Sequence, residues 1–136
     1  MAKYKKVKVV VAGSRGFSDY ELLKDQLRDI LSDIVLNEDS DAEFEIVSGD
    51  AKGADKLGER FAKEKSLKLV TFPANWKENG KQAGMLRNVE MAKYASESDR
   101  GVLVAFWDGV SRGTEQMIRM AEKYYLDIYI INYIGE

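Results

Sequence analysis

Short apolar runs alternate along this chain with longer segments whose apolar residues recur at helical spacing. The runs lie at 7–12, 44–47, 67–72, 102–107 and 128–131. Runs that are apolar on both faces are typical of parallel strands covered by helices on both sides. The β-α-β-α-β-α-β-α-β order predicts an α/β fold: a doubly wound, mostly parallel sheet of five strands or slightly more, with helices on both faces. With 136 residues, the chain is expected to form one domain over 1–136.

The helical segments carry apolar stripes that predict their buried faces. The first segment begins at a predicted capping box, with Ser18 as the N-cap and Glu21 reaching back to it. The expected stripes, in chain order, are Leu23, Leu27, Ile30, Leu31 and Ile34; Ala54, Leu57, Phe61 and Ala62; Ala83, Leu86, Val89 and Ala92; and Thr114, Met117, Ile118 and Ala121. In the third helix, Gly84, Arg87, Asn88 and Met91 share a face largely opposite to the stripe.

Composition narrows the chemistry that the chain can perform. It contains no cysteine and no histidine, which excludes disulfides, thiolate metal sites, a Cys nucleophile and any Ser-His-Asp arrangement. We therefore predict no metal site and no cofactor, although Mg²⁺ between Asp side chains and a phosphate stays compatible with the composition. No apolar run approaches the ~20 residues of a membrane span, and no signal segment is recognised. No membrane partner and a cytoplasmic location are expected.

Charge argues against nucleic acid as a partner. The 21 basic and 23 acidic residues give a net charge of −2, whereas nucleic-acid-binding domains are usually basic. The basic cluster Lys3, Lys5, Lys6 and Lys8 fits a solvated strand start better than a binding patch. The acidic stretch 33–45 is expected to be a solvated loop or helix end. The aromatic and apolar residues near the end are compatible with either a homo-oligomer contact or core packing of the last strand: Tyr124, Tyr125, Ile128, Tyr129 and Tyr133.

The loops that follow the strands are the predicted functional region, because ligands of open α/β sheets bind outside the carboxyl ends of the strands. The first loop, G-S-R-G-F at 13–17, offers a tight turn, amide donors and the Arg15 guanidinium. The second, S-G-D-A-K-G-A-D at 48–55, has the form of an anion cradle without the Walker A ending. Asp55 fits either a contact with ligand hydroxyls or a first-turn carboxylate that the helix dipole favours.

The third and fourth loops extend this pattern. Trp76 lies in the third loop and could stack on a base or cover the edge of the core. Arg87, early in the next helix, is unusually placed for dipole stabilisation, which favours an anionic partner. The fourth loop, W-D-G-V-S-R-G-T at 107–114, combines glycines, hydroxyls and helix-N-terminal amides. It is by composition the best candidate for a phosphate cradle.

In this order, the loops resemble the SLOG superfamily, in particular its small YspA/cpYpsA-related proteins. The matching pieces are A-G-S-R-G-F at 12–17, V-S-G-D-A-K-G-A-D at 47–55, P-A-N-W at 73–76, A-G-M-L-R-N at 83–88 with Met91, and W-D-G-V-S-R-G-T at 107–114. The resemblance covers about 7–133. It implies a Rossmann-like fold that binds nucleotides or nucleotide-derived ligands such as ADP-ribose species. It also implies a phage or bacterial context.

The wider superfamily includes the LOG phosphoribohydrolases, which cleave the base from a nucleoside monophosphate. Their motif pairs an Arg with P-G-G-x-G-T-x-x-E at the start of the next helix. Arg87 matches the Arg, and the run from Gly109 to Thr114 matches loosely, but the final Glu falls on Met117. Met117 belongs to the apolar stripe and is expected in the core, and a thioether cannot act as an acid or base. Glu115 is about 200° away around the helix and should point elsewhere.

The predicted function is binding of a phosphorylated nucleotide or nucleotide-derived small molecule, ADP-ribose-like, at the strand ends, in a sensor, sequestering or regulatory role. The alternative is a hydrolase of a nucleotide N-glycosidic or phosphate-ester bond, with Asp50, Asp55, Asp108 or Glu115 as the acid-base group. A third hypothesis, single-strand nucleic-acid binding, follows from the related domain of the DNA-uptake protein DprA. The predicted ligand-binding residues are Gly13, Ser14, Arg15, Ser48, Gly49, Gly53, Asp55, Trp76, Arg87, Asn88, Trp107, Asp108, Gly109, Ser111, Gly113 and Thr114. No catalytic residue is assigned.

Overall fold

One parallel five-stranded sheet forms the centre of the fold in a computed structural model, which describes residues 6–37 and 41–133. Its strands are β1 (Lys6–Gly13), β2 (Glu43–Ser48), β3 (Lys68–Thr71), β4 (Arg100–Trp107) and β5 (Asp127–Asn132). They are ordered β3-β2-β1-β4-β5, and every neighbouring pair is parallel. The predicted α/β class, strand number and parallel sheet are confirmed.

The helices cover both faces of the sheet. They are α1 (Tyr20–Asn37), α2 (Ala54–Glu64), the short α3 (Trp76–Asn79) with a 3₁₀ turn at Gly80–Gln82, α4 (Ala83–Ser96) and α5 (Arg112–Lys123). Buried residues of α1 and α2 pack with one set of strand side chains, and those of α4 and α5 with the other. Because the strand order reverses at β1, the crevice at the carboxyl ends of β1 and β4 is the topological switch point.

Two local predictions about helices are wrong, the second of them in part. The chain enters α1 one residue later than predicted, and the side chain of Asp19, not Ser18, caps the helix by accepting from the Leu22 N–H at 3.0 Å. In α4, Ala83 and Ala92 of the predicted stripe are buried as expected, but Leu86 is 40% exposed. Met91 and Asn88, which were expected on the largely opposite face, are 1% and 6% exposed. The buried face of α4 is therefore displaced from the predicted stripe toward Asn88 and Met91. The buried stripes predicted for α1 and α5 are confirmed.

The acidic stretch contains one residue that the solvated-loop prediction did not foresee. Glu45 lies in β2, is buried, and accepts a hydrogen bond from the Tyr94 hydroxyl of α4. Asp33, Asp41 and Glu43 are exposed as expected. Glu38 and Asp39 lie outside the described residues, as do Lys3 and Lys5 of the basic cluster.

The residues around the last strand divide between core and surface. Tyr129 and Tyr133 pack against the core on one face of the sheet, and Tyr124 and Ile128 against the core on the other. Tyr125 is 93% exposed. Core packing thus accounts for most of these side chains, and a homo-oligomer stays a prediction. Within 6–37 and 41–133, no helix is long and apolar enough to cross a membrane.

Candidate ligand-binding site

A cavity of about 880 Å³ opens at the switch point. Its walls come from the loops after β1, β2 and β4, from the segment 76–91 and from the first turns of α5. Ligand pockets of proteins typically have volumes of ~300–1,000 Å³, so the cavity has the size for a small molecule. Its position is the one that parallel sheets use for ligands.

Ser14 joins the loop after β1 to the loop after β4. Its N–H donates to the Phe106 carbonyl at 2.9 Å, and its hydroxyl accepts from the Asp108 N–H at 3.1 Å. Its hydroxyl also lies 3.1 Å from that of Ser111. The two backbones approach so closely that a Cβ on Gly13 would overlap the Phe106 carbonyl oxygen. Glycine is therefore required at position 13 for this contact.

The first turn of α5 forms one wall of the cavity. Asp108 organises the entry to the helix: its Oδ1 accepts from the N–H groups of Val110 (2.9 Å) and Ser111 (2.7 Å), and its Oδ2 accepts from the Ser111 hydroxyl (2.7 Å). These bonds lower the pKa of Asp108 from 3.8 to about 2. Arg112, Gly113 and Thr114 follow and line the cavity. The N–H groups of these three residues have no acceptor within the helix, because no helical turn precedes them. Unpaired N–H groups at a helix N-terminus attract anions, so this wall suits an anion.

Two guanidinium groups line the same cavity. Arg87 of α4 is half-buried and donates from Nη1 to the Gly49 carbonyl and from Nε to Asn88 Oδ1 at 3.0 Å. Burial lowers the pKa of Arg87; the Asp55 carboxylate opposes this shift and the Arg15 charge adds to it. Arg15 is exposed on the loop after β1 and lies on the wall of the cavity. The two cations predicted to hold an anion thus share one cavity.

Asp55 is the buried carboxyl group of the site. It is 5% exposed and lies in the first turn of α2, where its Oδ2 accepts from the Ala51 N–H at 3.2 Å. Burial raises the pKa of Asp55 from 3.8 to about 6, against the Ala51 hydrogen bond and the Arg87 charge, which lower it. A carboxyl group with a raised pKa at a cavity wall is typical of functional sites.

The structure brings eleven of the predicted binding residues to the cavity wall: Gly13, Ser14, Arg15, Asp55, Trp76, Arg87, Asn88, Asp108, Ser111, Gly113 and Thr114. The other five predicted residues, Ser48, Gly49, Gly53, Trp107 and Gly109, are not part of its lining. Ser48 donates to Glu59 of α2 at 2.7 Å, and Trp107 Nε1 donates to the Ser111 carbonyl at 3.0 Å. They support the loops behind the cavity.

Asn88 lines the cavity, but both ends of its amide are used within the protein. Oδ1 accepts from Arg87 Nε at 3.0 Å, and Nδ2 donates to Gln116 Oε1 at 2.5 Å and to the Gly113 carbonyl at 3.4 Å. Asn88 therefore ties the Arg87 side chain of α4 to the first turns of α5. Its role in the structure is to hold the Arg87 guanidinium in place relative to the start of α5.

Sequence reasoning missed several lining residues, namely Ala51, Lys81, Met85, Arg112, Gln116 and Tyr133. Arg112 lies inside the predicted phosphate loop, so a count of cations in that loop could have identified it. Lys81 follows Gly80 in the segment after Trp76 and carries no pattern that could have singled it out.

Comparison with known proteins agrees with this architecture. A family model described as the YspA, cpYpsA-related SLOG family (YAcAr) matches residues 7–78, which include the loops after β1 and β2. The chain belongs to this SLOG family. The gene 61 protein of Mycobacterium phage D29 is 32% identical to this SLOG protein over 131 residues, covering 93% of this chain and 95% of the phage protein. No solved structure matches the chain.

Two of the four acidic side chains proposed for hydrolysis lie away from the cavity of this SLOG protein. Asp50 pairs with Lys56, and Glu115 pairs with Arg119 at 3.3 Å; neither is part of the lining. Met117, at the position of the LOG glutamate, is 1% exposed and packs in the core beneath the cavity. Asp55 and Asp108 are the carboxyl groups that line the cavity. Among the described residues, no cluster of three or more His, Cys, Asp or Glu side chains could hold a metal ion.

Proposed function

We propose that the cavity binds a phosphorylated nucleotide or a nucleotide-derived small molecule such as ADP-ribose. The observation that carries the proposal is the convergence of the first turn of α5 with Arg15 and Arg87 at one cavity. Helix N-termini and guanidiniums both suit phosphate, the first through free N–H groups and the helix dipole and the second through bidentate hydrogen bonds. Family membership agrees with it, since the resemblance described above implies nucleotide-derived ligands.

The phosphoryl group would lie against the N–H groups of Arg112, Gly113 and Thr114. Arg87 would contact it from the opposite wall, because Asn88 already aligns the guanidinium with this turn of α5. Arg15 and Lys81, which are exposed at the cavity, would add charge from the solvent side.

The base would stack on Trp76 rather than on Trp107. Trp76 is 53% exposed and lines the cavity beside Met85, which is 47% exposed. Trp107 is partly buried against the core and uses its indole N–H within the protein. An exposed aromatic ring at a cavity wall gives a base an apolar surface to stack on, and stacking removes that surface from water.

Sugar hydroxyls would meet Asp55. Both oxygens of Asp108 already accept hydrogen bonds from its own loop, whereas Asp55 lies at the end of the cavity under the loop after β2. Met117 supports a sensor or sequestering role over hydrolysis of the LOG type, because the position that holds the LOG glutamate has no acid-base group here.

The test is an equilibrium titration of the protein with ADP-ribose, NAD and nucleoside monophosphates. We expect Arg87→Ala to weaken binding about 10- to 150-fold, since a charged hydrogen bond contributes about 1.5–3 kcal/mol. Arg119→Ala is the matched control, because Arg119 pairs with Glu115 on α5 outside the cavity. Absence of binding across the panel at millimolar concentration, or equal losses in both variants, would reject the proposal.

Hydrolysis of the ligand is a second candidate function, and the burial and raised pKa of Asp55 favour it, because a general acid needs a pKa near the working pH. Chromatography of the same mixtures for free base or phosphate tests it. Turnover that Asp55→Asn abolishes supports a hydrolase. Intact ligand after prolonged incubation with a protein that binds it supports a binding role alone.

A further inference from the structure

Asp55 and Arg87 line the same end of the cavity as a pair of oppositely charged neighbours, and this pair is the basis of a further inference. Both groups lie against Gly49: a Cβ at that position would be 2.8 Å from Asp55 Oδ2 and 2.7 Å from Arg87 Nη1. The Asp55 carboxyl is almost fully buried, and the Arg87 guanidinium is the cation that favours its ionised form. Arg87 is held in place by the Gly49 carbonyl and by Asn88. It therefore cannot turn toward a ligand without leaving these partners, so any anion it binds must approach the pair as it stands.

We propose that binding of the phosphorylated ligand protonates Asp55, so that the affinity of the cavity falls as the pH rises from 6 to 8. This inference rests on the proposed function. The Ala51 N–H also favours the ionised Asp55 and stays in place, but an anion that contacts Arg87 neutralises the cation beside the carboxylate and adds a like charge nearby. Both effects favour the protonated carboxyl. The protonated Asp55 carboxyl group still has a carbonyl oxygen, and this oxygen can accept a hydrogen bond from a sugar hydroxyl.

The other charged groups around Asp55 do not supply an alternative counter-charge. Glu59, on the same helix, is acidic and raises the pKa of Asp55. Asp50 on the loop after β2 pairs with Lys56 of α2, and Lys56 also lies 3.5 Å from Glu59. Arg15, on the loop after β1, lies near Arg87 and would be neutralised by the same ligand. Binding thus removes the cations that face this carboxyl and leaves its acidic neighbours.

The expected effect follows from the titration of one group. With a pKa of about 6, Asp55 is about one-tenth protonated at pH 7 in the free protein. If the bound state shifts this pKa above 7, binding takes up at least ~0.4 proton at pH 7, and the affinity falls at least about 5-fold between pH 6 and 8.

Calorimetric titration with NAD in two buffers of different ionisation enthalpy measures the proton uptake directly. NAD is chosen because its diphosphate has no ionisation near pH 6, unlike a phosphate monoester. If only AMP binds, the proton uptake that belongs to Asp55 is the uptake of the wild type minus that of Asp55→Asn. We expect uptake in the wild type, none in Asp55→Asn, and a pH-independent affinity in that variant. Asp50→Asn, outside the cavity lining, should retain the uptake.

Binding without proton uptake, or uptake that persists in Asp55→Asn, would overturn the inference and leave the proposed function intact. No binding by any nucleotide of the panel would overturn both. Carbon NMR of the Asp55 side-chain carboxyl in the wild-type protein, with and without ligand, gives a readout that does not depend on the folding of the variant. A bound-state pKa at or below the free value would refute the proposal.

Discussion

Replacing Gly113 by alanine should change the stability of the protein and its affinity for the ligand in opposite directions. Gly113 lies in the first turn of α5, and a Cβ at this position would meet no atom of the protein within 4 Å. Replacing a helical glycine by alanine stabilises a helix by about 0.5–1 kcal/mol. For a chain of this length, such a gain raises the melting temperature by about 1–4 °C.

The same substitution should impair binding. Cβ atoms of a helix tilt toward its N-terminus, so the methyl group added by Gly113→Ala would project to where the proposed phosphoryl group lies against the Gly113 and Thr114 N–H groups. Overpacking of a fitted contact costs about 1–3 kcal/mol. We therefore expect the nucleotide affinity of this variant to fall by about 5- to 150-fold while its melting temperature stays level or rises.

Gly58→Ala is the matched control for this experiment. Gly58 lies in α2, away from the cavity, and a Cβ there would lie 2.8 Å from Cβ and Cγ1 of Val11. This variant should lose about 1–3 kcal/mol of stability and keep its affinity. Thermal melts and nucleotide titrations of both variants give the comparison. Wild-type affinity in Gly113→Ala would show that the ligand does not lie at the start of α5, and this would refute the reasoning.

Three further predictions concern the acidic and aromatic side chains of the site. Folding raises the pKa of Asp55 from 3.8 to about 6, so its ionised form destabilises the fold and the wild type loses up to about 3 kcal/mol as the pH rises from 4 to 7. Urea denaturation should find Asp55→Asn about 1–3 kcal/mol more stable than wild type at pH 7.5 and no more stable at pH 4; lower stability at pH 7.5 contradicts this. Folding lowers the pKa of Asp108 from 3.8 to about 2. The ionised carboxylate therefore stabilises the fold fully above pH 3.8, and this stabilisation is lost as the pH falls through about 2. Asp108→Ala should melt at a lower temperature at pH 7, with a difference that narrows in acid, and an unchanged melting temperature would argue against this capping role. The chain has two tryptophans, and ligand-induced fluorescence changes should disappear in Trp76→Phe and persist in Trp107→Phe; the reverse pattern would move the base to Trp107.

The sequence alone was enough to predict the strands and the edge of the sheet at which the candidate site lies. Apolar runs on both faces dictate buried parallel strands, and parallel strands bring the loops at 13–17, 48–55 and 107–114 to one edge. The convergence of Arg15 and Arg87 follows from this geometry, because one lies on the loop after β1 and the other near the start of the crossover helix α4.

What the sequence could not predict depended on partners far away along the chain. Asn88 is polar, and the periodicity of α4 assigned it to the outer face; Gln116 and the Gly113 carbonyl of α5 satisfy its amide and allow it to be buried. Glu45 ends the acidic stretch that was expected to be solvated, but it is buried and the Tyr94 hydroxyl of α4 donates to it. At the start of α1, Ser18 and Asp19 are both good N-caps, and local sequence does not decide between them.

An amide NMR titration with the tightest-binding nucleotide tests the central claim most directly, because it locates the ligand without any substitution. The account predicts that the largest shifts occur at 13–16 and 112–114, the two segments of the cavity wall proposed to contact the phosphoryl group or lie beside it. The amides of Lys6 and Arg100, at the opposite ends of β1 and β4, should stay in place. Saturable shifts confined to that opposite edge, with 112–114 unchanged, would contradict it.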